Sequence, residues 1–123
     1  VGTGDNILIA GFVLGGTGYK SVLIRAVGPG LANTFGVTGV LVDPKVGVYD
    51  QNGKRIVEND DWSAESTSLA PVFARLGAFP LDEGSKDAAF LVSLPAGVPY
   101  TAQVSGADGG TGEALVEIYD ANP

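Results

Sequence analysis

The sequence predicts an all-β fold, an antiparallel β-sandwich of jelly-roll type with seven to nine strands and one short helix near 68–76. Three observations predict it. Short apolar runs alternate with turn residues, among them 19 Gly and 7 Pro without any collagen period. Strict two-residue alternation of apolar and polar side chains marks the last third of the chain. Only one stretch has helical spacing, whereas a parallel α/β sheet needs several crossover helices. The 123 residues make one module, 1–123, long enough to bury a core without a disulfide or a metal.

The elements follow in order. Asn6 to Leu14 and Ser21 to Val27 are apolar runs joined by the Gly15–Gly18 link, and they are expected to form a β-hairpin. Both runs are apolar at successive positions, which suits a strand covered on two faces or one with a face awaiting a partner. Gly28-Pro29-Gly30 is expected to break the chain, with one helical turn over Leu31 to Phe35. Val46 to Tyr49 and Arg55 to Val57 flank Asp50-Gln51-Asn52-Gly53, the strongest hairpin signal in the sequence. In Ser66 to Leu76, Leu69, Val72, Phe73 and Leu76 share a helical face. Pro71 lies among them, so a short or broken helix beginning near Ser68 is expected. Ala88 to Leu94, Tyr100 to Ser105 and Glu113 to Tyr119 complete the strands, separated by Gly-containing turns.

Composition narrows the chemistry. Hydrophobic residues are 45% and charged residues 17%, the balance of a folded domain. His and Cys are absent, which removes the commonest general base, metal ligand and thiolate nucleophile. The net charge of −7 repels phosphate backbones, so nucleic acid is not an expected partner, and it favours divalent cations. No apolar run approaches the roughly 18 residues of a membrane-spanning helix. The chain opens at Val1 without Met and is taken as a processed chain or one segment of a longer one.

Candidate sites follow from residue type. Gly15 to Ser21 has the glycines of a phosphate loop, but Tyr19 separates Gly18 from Lys20 and a strand-like run follows, which favours a turn. Asp43, Asp50, Asn52, Asn59, Asp60 and Asp61 offer hard oxygen ligands, and calcium is the candidate cofactor. The same residue types also favour plain turns. Trp62 directly follows the acids and either stacks on a sugar or plugs the end of the sandwich. Catalysis could rest only on carboxylates such as Asp60 with Asp87 or Glu58 with Glu83, and nothing singles these pairs out. Ser63 and Ser66 lack a His partner, so no enzyme activity is expected. Arg25, among apolar neighbours, is expected to reach out from a strand edge with its stem on apolar surface. The apolar first strand, through Ile7, Ile9, Phe12 and Val13, is a template for strand addition between subunits.

VGTGDNILIAGFVLGG, VLIRAVGPGLANTFGVTG, DPKVGVYDQNGKRIVENDDW, GSKDAAFLVSLPAGVPYTAQVSG and GEALVEIYD resemble a repeat module of large secreted proteins of Verrucomicrobia-like bacteria, over nearly the whole chain. In that module a further strand precedes the VGTGD segment. The second half also resembles the bacterial pre-peptidase C-terminal domain, through Tyr49 to Gly53, Asn59 to Asp61, Leu94 to Gly97, Tyr100 and Val104 to Gly106. The first 40 residues depart from that second pattern. The resemblance implies an exported β-sandwich, often repeated and often calcium-stabilised or attached to an enzyme. The matching metal positions are Asn59, Asp60 and Asp61, with Asp87. Two functions are expected to compete. One is an extracellular structural module of a cell-surface filament or repeat array, whose partners are copies of itself. The other is a calcium-stabilised accessory domain of a secreted hydrolase that binds carbohydrate or another polymer through Trp62.

Overall fold

The computed structural model describes residues 1–122. Seven strands form two antiparallel sheets: β1 (Leu8–Val13), β2 (Tyr19–Val27), β3 (Pro44–Asp50), β4 (Arg55–Asn59), β5 (Ala88–Pro95), β6 (Pro99–Gly106) and β7 (Leu115–Asp120). The first sheet has the order β1-β6-β3-β4 and the second β5-β2-β7. Two helices, α1 (Pro29–Phe35) and α2 (Ser66–Leu76), and short 3-10 turns complete the chain. The fold is an all-β sandwich, as the sequence predicts.

Two cores share β2. Between the sheets, Val22, Ile24 and Ala26 pack with Val46, Val48, Phe90, Ala102, Val104 and their neighbours. On the other face of β2, Leu23 and Val27 pack with Trp62, Leu69, Phe73 and Leu81 beneath α2 and the segment after it. The burial of every residue from Val22 to Val27 therefore reflects packing on both faces of β2.

The expected β1–β2 hairpin does not form. β1 pairs with β6, with Leu8 opposite Val104 and Val13 opposite Pro99. β2 pairs with β5 and β7 in the other sheet. The Gly15–Gly18 link carries the chain from one sheet to the other, with Gly16 and Gly18 at positive φ. The β3–β4 hairpin forms as expected. Asp50 Oδ1 accepts from the N–H groups of Asn52 and Lys54, and Gly53 alone takes the left-handed conformation.

Gly28-Pro29-Gly30 breaks the chain after β2 as expected, and it also starts the helix, two residues before Leu31. Pro29 stands at the first helical position, where its missing N–H is no loss. A Cβ on Gly28 would lie 2.0 Å from the Leu41 carbonyl oxygen, so only glycine fits. α2 begins two residues before Ser68 and runs unbroken through the exposed Pro71. Its apolar face is held by Leu69 and Phe73 in the second core, and this packing outweighs the local proline penalty.

Candidate functional site

Three of the four expected metal ligands, Asn59, Asp61 and Asp87, accept from backbone N–H groups. Asn59, the last residue of β4, accepts through Oδ1 from the N–H groups of Asp61 and Ala89, tying the end of β4 to β5. Asp61 Oδ1 accepts from Ser63 N–H and caps the 3-10 turn Trp62–Glu65. Asp60 is exposed. Asp87 is fully buried, and its Oδ1 accepts from Gly28 N–H (2.8 Å) and Gly30 N–H (3.1 Å). Its Oδ2 accepts from Ser85 Oγ at 2.8 Å. Asp87 thus serves as a remote cap for α1, whose own N-cap residue is a glycine. Calcium needs six to eight oxygens converging on one point. No group of three or more acidic residues converges in this way among the described residues. Three of the four residues are already engaged by backbone N–H groups.

Trp62 is a plug, not a sugar platform. Its ring is 2% exposed and lies 5.4 Å from that of Phe73. Its indole N–H donates to the Asp82 carbonyl and to Ser85 Oγ, pinning the segment that follows α2. Trp62 also borders an apolar cleft of about 180 Å³ lined by Ala70, Phe73, Ala74, Pro80 and Leu81. A second cleft of about 280 Å³ lies between Asn59, Glu65, Ser68 and Leu91. The carboxylates considered for catalysis have other partners or surroundings. Asp87 faces the interior, Glu58 is paired with Arg55, and Glu83 accepts from Ser66 Oγ at 2.6 Å.

Arg25 corrects another expectation. It is 0% exposed, in the middle of the central strand β2. Its Nε donates to Glu117 at 2.8 Å and one terminal nitrogen donates to the Phe79 carbonyl at 2.6 Å. The guanidinium lies 4.6 Å and 4.4 Å from the ring centres of Phe73 and Phe79. Tyr119 donates to the other Glu117 oxygen at 2.7 Å. Burial, then the Glu117 hydrogen bond, pushes the Tyr119 hydroxyl above its ordinary pKa. The sequence signal was present, a cation inside an apolar run, but its partners lie 92 and 54 residues away.

The assembly residues divide by strand parity. Phe12 points inward and stacks on Tyr100 at 5.6 Å, so it belongs to the core and not to a contact surface. Ile9 and Val13 point outward, 54% and 63% exposed, and Ile7 has the same parity just before the strand. Backbone direction follows the same division. Leu14 O accepts from Gly97 N–H on the β6 side, so residues of its parity bond toward β6. Val13 stands opposite Pro99, which has no N–H to give. Ile9, Gly11 and Val13 therefore direct their N–H and C=O groups to the free edge.

The two sheets have four edge strands, β1, β4, β5 and β7. β4 carries Arg55 and Glu58 and pairs with β3 across a register shift. β5 ends in Pro95, and its Ala89 N–H is occupied by Asn59. β7 carries Glu117 and Asp120. β1, LIAGFV, has neither a charge nor a proline nor a bulge along its edge. No helix among the described residues is long and apolar enough to cross a membrane. Comparison with family models, curated proteins and solved structures finds no match to this chain.

Proposed function

We propose that the chain is a non-catalytic extracellular structural module, a building block of a surface filament or repeat array joined by strand-mediated contacts between copies. One observation carries it: β1 is an edge strand without charge, proline or bulge, and it presents the exposed Ile9 and Val13 beside free backbone groups. Proteins that stay apart blunt such edges, and proteins that pair by strand addition keep them. The resemblance to exported repeat modules supports the same role and location. The competing carbohydrate-binding role required an exposed Trp62, and the buried ring withdraws its main support.

Native mass and electron microscopy across a concentration series test this. Oligomers or filaments are expected, and they should be lost in Ile9→Lys, a surface change expected to shift stability by no more than about 0.5 kcal/mol. A mass of 12.5 kDa at every concentration would overturn the proposal.

A further inference from the structure

Building on that role, we infer that the partner of β1 is β1 of a second copy, paired antiparallel about a two-fold axis at Gly11 into a closed pair that merges two four-stranded sheets into one and is the unit from which an array would be built by a second contact. Backbone parity sets the register. The free N–H and C=O groups belong to Ile9, Gly11 and Val13, so bonded pairs form between residues of that set. Centring on Gly11 is the register that uses all of them. It sets Ile9 beside Val13 of the second copy, and Val13 beside its Ile9. The two most exposed apolar side chains of the strand then cover each other on one face.

Charge selects the same partner. Two chains of net charge −7 repel unless they meet where acids are absent, and β1 is such a place. Pairing β1 with β4 of another copy would set this neutral strand against Arg55 and Glu58. Antiparallel pairing also brings the start of one strand to the end of the other. Asp5 lies just before β1. Beyond its end, the Lys20 ammonium lies against Gly16, 3.3 Å from where a Cβ would stand. Each end of the seam therefore brings the Asp5 end of one copy toward the Gly15–Gly18 link of the other, beside which Lys20 lies.

Single cysteines in this cysteine-free chain test the geometry. A Cβ at Gly11 meets only the Tyr100 carbonyl oxygen, at 4.0 Å, so Gly11→Cys is accommodated. Under mild oxidation Gly11→Cys should form disulfide dimers on the order of tenfold faster than Lys54→Cys on the exposed β3–β4 turn. A mixture of Ile9→Cys and Val13→Cys should cross-link faster than either alone, which checks the register independently. Cross-linking of Gly11→Cys to Ile56→Cys in preference to itself would overturn the two-fold while leaving strand-mediated assembly intact. Gly11→Cys no faster than Lys54→Cys, in a chain that still assembles, would overturn the two-fold alone. The same rate in a chain that stays monomeric would overturn both.

Discussion

Arg25 holds a positive charge in the interior between two phenyl rings, with one carboxylate to balance it. The two partners are not equivalent. Glu117 retains some exposure, whereas Arg25 has none. Removing the carboxylate strands the cation, so Glu117→Gln is expected to destabilise by about 3 kcal/mol in urea unfolding. Arg25→Met keeps an adaptable side chain against the rings and should cost less. The reverse order would show that ring contacts, not charge balance, dominate. At Asp87, alanine leaves the Gly28 and Gly30 N–H groups without an acceptor, and a loss of about 2–4 kcal/mol is expected. Asn retains one acceptor oxygen and should lose less. Tyr100 and Tyr119 add a pH dependence. Burial, the larger cause in both, raises their hydroxyl pKa values. A raised folded pKa means that the native state holds the proton more tightly. The tyrosine contribution is therefore complete below about pH 10, the unfolded value, and is lost as pH rises through the higher folded value. Tyr119→Phe should make alkaline unfolding shallower; an unchanged profile would exclude Tyr119 as a source.

At the scale of elements, α2 carries a proline that tertiary packing tolerates. Pro71 is exposed, so Pro71→Ala should restore a backbone donor without disturbing the core. A gain of about 1–3 kcal/mol is expected, seen as a higher melting temperature. The elements also mark what was legible in the sequence. The β3–β4 hairpin was, because Asp50 and Gly53 define its turn locally. Alternation in β6 placed Tyr100, Ala102 and Val104 inward. Partner choice was not legible for β1 and β2, because a run apolar on both faces does not say which strand lies beside it. The same ambiguity hid the second core and with it the burial of Arg25. Trp62 could be a plug or a platform on sequence grounds, and only its contacts with Phe73, Asp82 and Ser85 decide. For the candidate edge, exposure of Ile9 and Val13 was foreseen, but the inward turn of Phe12 follows from strand register.

For the whole molecule, net charge opposes the contact that β1 favours. Association should therefore strengthen as ionic strength rises from about 0.01 M to 0.15 M, where the screening length falls from about 30 Å to 8 Å. Sedimentation across that range measures it. Weaker association in salt would mean that the end charges, Asp5 and Lys20, outweigh the overall repulsion. Excess chelator should leave the melting temperature unchanged, since Asn59, Asp61 and Asp87 are engaged by backbone N–H groups. A downward shift would reveal a bound cation. The helical layer covers only one sheet, so the molecule has two unlike sides: helices behind β2, and a bare face on the β1-β6-β3-β4 sheet bearing Thr101, Gln103 and Tyr49. A two-fold axis perpendicular to the sheet leaves this asymmetry intact. Any layer grown from such pairs would be sided like cloth, with one surface of helices and one of strands.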